Sequence, residues 1–163
     1  MIRTARIFGK EIAKYYVLTG RAIRSQDALK LGIITEMCSV MELDKTVKKV
    51  SENLQDKYHA REIDASYSAL GELVKGDNLE LLLAGKCPDG AEPALAEKTA
   101  SILKSKAPIA IKVSVELMEA QEKVSIDEAI KLELDRLVEI FSTEDALAGL
   151  TTPPGNKVDF KNK

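Results

Sequence analysis

The sequence has few of the side chains that most often build metal, redox and base-stacking sites. Its 163 residues include one histidine, two cysteines and no tryptophan, and aromatic residues make up 4%. Cys38 and Cys87 are far apart, and neither belongs to a CxxC or Cys/His cluster, so no metal-ligand motif is present. The scarcity of aromatic residues argues against a surface that stacks nucleic-acid bases.

Charge and hydropathy exclude further classes of partner. The net charge is −2 with both signs mixed along the chain, so neither nucleic acid nor an anionic membrane is an expected partner. No run approaches the roughly 18 apolar residues of a membrane span, and the first residues lack the continuous apolar core of a signal peptide. We therefore expect a cytoplasmic protein that has no membrane partner.

The bulk composition is that of a globular domain. Hydrophobic residues make up 45% of the sequence and charged residues 31%, and the length suits one domain or part of a larger one. We find no internal repeat and no low-complexity segment. A core of ordinary size is therefore expected.

Residues 15–35 contain the strongest local signals. Gly20 can adopt the left-handed conformation that ends a helix, and Ser25 is a good N-cap for a short second helix. Gly32 is placed to end that helix in the same way. The β-branched residues 33–35 then predict a short strand.

Apolar spacing and end signals predict helices through most of the remaining chain. Capping boxes begin two of them, one at Ser39 with Glu42 and one at Ser125 with Glu128. Ser142 is predicted to cap the last. The predicted helical segments are 2–18 with a break near Gly9, 40–57, 61–84 with an interruption, 93–106, 126–141 and 143–149.

The helix at 40–57 has the clearest amphipathic pattern in the chain. Its apolar residues follow a 3-4-3-4 spacing and are expected to pack on another part of the protein; they are Val40, Leu43, Val47, Val50 and Leu54. The charged residues opposite mix both signs, which is more typical of a solvated face than of a binding patch.

The segment that begins at Pro108 allows two interpretations from its residues alone. Apolar residues alternate with period two from 109 to 117, which is typical of a strand. The run continues into 118–122, which consists mostly of strong helix formers.

Several motifs resemble one family, and they occur in that family's order. Residues 18–34 are similar to its LTGR…S-x-x-[DE]-A…LG-[LI]-[VI] signature. The other matching segments are 3–10 with RLPRLIGK, 107–112 with sPxAxxxxK, and 125–133 followed by 141–145 with s…eal…E…F.S.D. The chain therefore resembles the crotonase family, the enoyl-CoA hydratases and isomerases.

The resemblance implies a mainly α fold, the C-terminal helical region of a crotonase with one short strand, lacking the N-terminal ββα core. Residues 1–38 would be the end of that core and the LTGR link. Residues 39–163 would be a helical oligomerisation part, with a helical hairpin inserted at about 58–92. The resemblance also favours a helix for the segment that begins at Pro108.

The reaction implied by the resemblance is hydration of an α,β-unsaturated acyl-CoA, or a related double-bond shift. Two backbone N–H groups must polarise the thioester carbonyl, and carboxylates must position water and move protons. In the family these groups precede the segment that matches residues 3–10. The resemblance therefore implies that this chain carries no catalytic residue of the family, no cofactor and no metal, with a coenzyme A thioester as the substrate of the parent enzyme.

Candidate acid–base residues of the chain's own have structural explanations. Glu128 pairs with Glu133 in sequence but belongs to a capping box, while Glu144 and Asp145 suit the first turn of a helix. His59 is the only histidine and has no partner in sequence, so a surface position is the simpler interpretation.

The tail offers one ligand-binding candidate. Lys157 aligns with the family's KRxP motif, where basic residues approach the phosphates of coenzyme A, and a solvated tail lysine is the alternative. Just upstream, residues 151–155 read TTPPG where the family usually has AFLEK. The aromatic residue that commonly lines the coenzyme A pocket is therefore missing.

Three functions remain open from the sequence. The first is the C-terminal part of an enoyl-CoA hydratase/isomerase-type enzyme, a fragment or a segment of a fusion with a hydroxyacyl-CoA dehydrogenase, which supports oligomerisation and covers the acyl-CoA site. The second is a non-catalytic helical assembly module that pairs with a separate catalytic subunit. The third is a small enzyme with its own carboxylate site. Apolar residues near the start, Ile7, Phe8, Ile12 and Tyr16, are expected to need cover and so predict a homo-oligomer.

Overall fold

The computed structural model describes residues 1–53, 63–153 and 155–163, and these form helices joined by short links. The α-helices are α1 (Ile2–Phe8), α2 (Lys10–Thr19), α3 (Ser25–Lys30), α4 (Leu43–Glu52), α5 (Ala65–Glu72), α6 (Asn78–Leu83), α7 (Pro93–Lys104), α8 (Pro108–Gln121), α9 (Ile126–Phe141) and α10 (Glu144–Thr151), and a 3₁₀ turn at Val40–Glu42 precedes α4. The predicted mainly α fold is confirmed.

The predicted strand at 33–35 is wrong. After Gly32, with φ of 76°, the chain folds back on the end of α3, and the Ile33 N–H donates to the Ala28 carbonyl at 2.8 Å. A strand needs a neighbouring strand to take its backbone hydrogen bonds, and the described residues contain none. The β-branched residues here follow a helix end instead.

The glycines that were predicted to interrupt helices do so. Gly9, with φ of 92°, separates α1 from α2, and Gly20, with φ of 64°, ends α2 in the left-handed conformation. A residue without Cβ adopts these angles at little cost. The break and the helix end are therefore encoded locally.

The segment that begins at Pro108 is a helix. Helix α8 packs against α2 on one side and α9 on another, and it buries Ile111, Val113 and Leu117. A helix that is covered on two sides needs apolar residues around much of its circumference. That requirement explains why apolar residues from 109 to 117 alternate with a period of two, as they do in a strand.

Two of the predicted caps differ from the sequence expectation by one residue. Arg24, not Ser25, occupies the N-cap position of α3. Thr143, not Ser142, caps α10, where its hydroxyl accepts a hydrogen bond from the Ala146 N–H at 3.0 Å. Helix boundaries commonly differ by a residue, and at α10 the neighbouring Ser142 and Thr143 offer equivalent caps, so sequence alone does not decide between them.

The two predicted capping boxes have different outcomes. At α9 the box is complete: the Ser125 hydroxyl accepts from the Glu128 N–H at 3.3 Å, and the Glu128 carboxylate accepts from the Ser125 N–H at 3.0 Å. Before α4 the Ser39 hydroxyl donates to the Glu42 carboxylate at 2.9 Å and caps no backbone N–H. The 3₁₀ turn at Val40–Glu42 replaces the expected first helical turn.

Helix α2 is the centre of the fold, and α1, α5, α7 and α8 all pack against it. One buried cluster joins α2 and the end of α5 to the next three helices; it contains Tyr15, Leu18, Leu73, Val74, Leu79, Leu82, Ala96, Ala100, Leu103 and Ile111. The other is built on α1 and α2 and contains Phe8, Ile12, Ala13, Leu31, Tyr67 and Met118. The described part of the predicted hairpin at 58–92 thus supplies several core residues, while residues 58–62 lie outside the described ranges.

Helices α2 and α5 approach closely at Gly71. A Cβ atom at this position would lie 3.0 Å from the Glu11 Cβ and 3.1 Å from the Ile12 backbone nitrogen. Tyr67, one turn earlier on α5, donates its hydroxyl to the Asp27 carboxylate at 2.6 Å, and this bond raises the pKa of Tyr67 to about 12. The short helix α3 is thereby tied to the body of the fold.

The exposed apolar surface differs from the expected one. Phe8 and Ile12 are buried inside the chain, so the prediction that they need an external cover is wrong for these two. Tyr16 is half-buried, and Ile7 is 49% exposed as expected.

The predicted apolar stripe at 40–57 is exposed instead: Val40 in the 3₁₀ turn is 89% exposed, and Leu43 and Val47 of α4 are 51% and 57% exposed, while Leu54 lies outside the described residues. A second exposed apolar face follows α9 and α10 and contains Ile126, Leu134, Leu137, Val138, Phe141, Leu147 and Leu150.

No helix in the described ranges is both long enough and apolar enough to cross a bilayer.

Candidate functional site

A cleft of about 420 Å³ lies where the end of α2, the junction of α7 with α8, and the C-terminal tail meet. Its lining combines apolar side chains with two lysines and two serines; the residues are Val17, Leu18, Gly20, Ser105, Lys106, Ala107, Ala110, Ile111, Ser114, Asn156, Lys157, Val158 and Phe160. Three separate segments of the chain therefore build it.

One wall of the cleft is a single face of α8. Residues 107, 110, 111 and 114 follow the i, i+3, i+4, i+7 spacing that places side chains on one side of a helix. Ala107, Ala110 and Ser114 are small, which leaves room beside the helix. The N-terminal end of α8 also lies at the cleft, and that end of a helix has a partial positive charge.

The end of α2 forms a second wall. Gly20 terminates the helix, and a Cβ atom built on it would lie 3.3 Å from the Lys106 Nζ. The Lys106 side chain therefore extends from the α7–α8 junction across to the end of α2. Leu18 and Val17 supply the apolar part of this wall.

The tail is held over the cleft by Asp145. This side chain is 2% exposed, and its carboxylate accepts hydrogen bonds from the backbone N–H groups of Lys161 at 2.6 Å and Asn162 at 2.9 Å. The Asp145 N–H in turn donates to the Lys163 carbonyl at 3.1 Å. The Phe160 ring lies beside α10, since a Cβ atom built on Gly149 would be 3.6 Å from it.

The charge of the cleft is positive. Lys106 is half-buried and Lys157 is exposed, and neither forms an ion pair with another described residue. No carboxylate is among the lining residues. The Lys106 ammonium lies at the C-terminal end of α2, where a helix carries partial negative charge. Together with the exposed Lys157 and the apolar residues of the lining, it favours a ligand with anionic groups and an apolar or neutral arm.

The two candidate carboxylates of α9 have structural partners. Glu128 completes the capping box, and its bond from the Ser125 backbone N–H lowers the pKa of the Glu128 carboxyl. Glu133 accepts from the Gln121 side-chain amide at 2.9 Å and from the Ile2 N–H at 3.0 Å. These bonds connect α9 to α8 and α1, away from the cleft.

The remaining predicted candidates divide into three outcomes. Glu144 is exposed at the start of α10, while its neighbour Asp145 holds the tail. Lys157 lines the cleft. His59 lies outside the described residues, and the described ranges contain no group of His, Cys, Asp and Glu side chains that could hold a metal ion.

One family model matches most of the chain. The model describes the enoyl-CoA hydratase/isomerase family and covers residues 3–153. The chain belongs to this family. No curated protein and no solved structure matches it.

The matched range spans nearly all of α1 to α10. The predicted resemblance to the enoyl-CoA hydratase/isomerase family is confirmed. The matched range ends at Pro153, so the tail segment that contains Lys157 lies beyond it. The cleft is thus built partly from family helices and partly from the tail.

Two residues of the site were not identified from the sequence. Lys106 is one of 24 basic residues, and only its position before Ala107 and Pro108, at the start of a helix, distinguishes it. Asp145 was interpreted as a first-turn carboxylate, which it is, but nothing in the local sequence indicates that it also binds the tail. Both roles depend on tertiary contacts.

Proposed function

We propose that this chain is the C-terminal helical part of an acyl-CoA-processing enzyme of the enoyl-CoA hydratase/isomerase type, and that its cleft covers the coenzyme A portion of the substrate. The observation that carries the proposal is the cleft itself, whose lining combines Lys157 of the tail with small and apolar residues of α8. Coenzyme A combines phosphate groups with a neutral pantetheine arm, which suits such a lining. The family membership supplies the reaction class.

The chemical step is assigned to the parent enzyme. Hydration or isomerisation of an unsaturated acyl-CoA needs an oxyanion hole and carboxylates at the thioester end. The predicted carboxylates of this chain bind backbone groups or are exposed, and none lines the cleft. The contribution of these helices is therefore to bind and orient the substrate.

Coenzyme A binding is expected to depend on Lys157. Replacing it by alanine removes one positive charge from the cleft and should weaken binding about fivefold, because an exposed charge pair contributes up to about 1 kcal/mol. Isothermal titration calorimetry at low ionic strength measures the change, with crotonyl-CoA hydration assayed in the same samples.

The matched control for that experiment is Lys161→Ala, since Lys161 is an exposed tail lysine outside the cleft lining. It should leave the affinity unchanged. A wild-type chain that does not bind coenzyme A would contradict the proposal. Turnover that depends on Glu128 or Glu144 would also contradict it and would favour an independent active site.

The second candidate function is assembly, and the exposed apolar faces favour it. The faces of α4 and of α9 with α10 each expose several large apolar side chains, which soluble chains rarely leave uncovered over a continuous area. A homo-oligomer, or a complex with a catalytic subunit, would cover them. Assembly and substrate binding are compatible, and oligomerisation forms part of the main proposal.

A charged residue within the α9 face should prevent self-association. Val138 is 75% exposed, so Val138→Glu places a carboxylate in any interface there without disturbing the core. We expect the wild-type chain to sediment as a dimer or larger species and the variant to shift towards monomer. Ser101→Glu, on the exposed side of α7, is the control and should not alter the sedimentation coefficient. A wild-type monomer at micromolar concentration would refute self-association.

A further inference from the structure

We propose that residues 156–160 form a strap that opens to admit or release a ligand of the cleft, and that the Asp145 carboxylate holds the strap closed. The inference concerns access to the cleft, and it rests on the proposed function only for the ligand used in one of its tests. The strap lies beyond Pro153, where the range matched by the enoyl-CoA hydratase/isomerase family model ends.

The strap has few attachments to the helices beside it. All of its residues except Asp159 line the cleft. Val158 and Phe160 are half-buried, whereas Lys157 and Asp159 are exposed, so alternate side chains face the protein as in an extended segment. Among the described residues, none forms a hydrogen bond or an ion pair with any of residues 157–160. A segment held by so few contacts opens at a lower free-energy cost than a packed helix does.

The two ends of the strap are held in different ways. Before its first residue, Gly155 has φ of 91°, and the Asn156 N–H donates to the Pro153 carbonyl at 3.2 Å. A Cβ atom on Gly155 would meet nothing within 4 Å, so the backbone angle, not close packing, favours glycine there. After its last residue, the Asp145 carboxylate accepts the N–H groups of residues 161 and 162 at 2.6 and 2.9 Å. A conformationally permissive residue therefore lies at one end, and a contact that can be released lies at the other.

Asp145 is suited to a contact that breaks and re-forms. It is 2% exposed while the strap is closed, and it lies in the first turn of α10, where the helix N-terminus stabilises a carboxylate. That stabilisation stays when residues 161 and 162 leave. Water can then replace the two backbone N–H groups, so opening exchanges hydrogen bonds and leaves no buried charge unpaired. The folded chain can therefore move between the closed and the open state.

Thiol labelling tests the strap without any ligand. In a Cys38→Ser/Cys87→Ser background, Ala110→Cys places a thiol on the half-buried α8 wall of the cleft. We expect its reaction with a disulfide reagent such as DTNB to become about tenfold faster when Asp145→Asn is added. Asparagine keeps the shape of the side chain but loses the charge and one of the two acceptor oxygens, so it holds residues 161 and 162 less tightly.

Two controls separate opening of the strap from a general loosening of the fold. Ser101→Cys places an exposed thiol on α7, outside the cleft, and Asp145→Asn should not change its labelling rate. Glu144→Gln removes the neighbouring first-turn charge but none of the tail hydrogen bonds, so the labelling rate of Ala110→Cys should stay the same. The proposal is overturned if Asp145→Asn leaves the labelling of Ala110→Cys unchanged, or if it accelerates both thiols equally.

The dissociation rate of coenzyme A tests whether the strap controls ligand exchange. On the immobilised full chain, surface plasmon resonance should show dissociation about tenfold faster from Asp145→Asn than from wild type, with Glu144→Gln unchanged. Faster labelling of Ala110→Cys without faster dissociation would overturn the control of ligand release by the strap. If the wild-type chain does not bind coenzyme A, the proposed function fails, and the labelling rates still decide whether the strap opens.

Discussion

Replacing Leu82 by alanine is expected to destabilise the chain by about 3 kcal/mol, within the usual range for a buried leucine. Leu82 lies in α6, is fully buried and contacts the cluster that joins α2, α7 and α8. Removal of its isobutyl group leaves a cavity that three helices must close. Urea unfolding followed by circular dichroism at a fixed chain concentration gives the free-energy difference.

The adjacent residue provides the control. Leu83 is 38% exposed in the same helix, so Leu83→Ala should cost about 1 kcal/mol or less, in proportion to the smaller apolar area that it buries. Equal effects of the two substitutions would mean that α6 does not pack in the way described. A large effect confined to Leu82 would show that α6 is required for the core, and that it cannot be removed as a peripheral insertion.

The sequence alone predicted the helices better than it predicted their partners. Gly9, Gly20 and the Ser125–Glu128 box were located from local chemistry, because a left-handed glycine or a capping box forms within a few residues. The strand at 33–35 was predicted from β propensity, which cannot indicate whether a neighbouring strand exists. Local signals therefore located several helix ends to within about one residue, but they could not predict whether a sheet forms.

Packing depends on contacts between segments that are distant in sequence. The predictions of which apolar residues are buried were wrong for that reason. The stripe of α4 and the apolar residues of α9 have the spacing of core-facing helices, yet several of them are exposed. Phe8 was expected at an external surface but lies in the second cluster. Periodicity identifies an apolar face, and only the tertiary structure shows which face the chain itself covers.

The candidate site was predicted only in part for the same reason. Lys157 was identified from a motif, and the structure places it in the cleft. Lys106 is distant from it in sequence and lines the same cleft only because α2, the α7–α8 junction and the tail meet there. A motif search within one segment cannot find such a pair.

Asp145 is expected to have the largest effect of any single residue on the cleft. In Asp145→Ala, the N–H groups of Lys161 and Asn162 lose their shared carboxylate, and each such charge-assisted bond contributes about 1.5–3 kcal/mol. The tail should then detach, and the cleft should lose the wall that contains Lys157. Hydrogen–deuterium exchange of the tail amides should accelerate by about tenfold or more, and coenzyme A binding should weaken at least as much as in Lys157→Ala.

Glu144→Ala separates this role from the general effect of an acidic first turn. Both Glu144 and Asp145 interact favourably with the N-terminus of α10, a contribution of about 0.3–1 kcal/mol each, so both substitutions lose that much. Only the loss of Asp145 should release the tail, because Glu144 is exposed and makes none of the tail hydrogen bonds. If the two variants show the same tail exchange and the same coenzyme A affinity, Asp145 does not position the tail. If only Asp145→Ala changes the tail exchange and the coenzyme A affinity, the buried Asp145 carboxylate positions the tail at the cleft through its hydrogen bonds to the tail backbone.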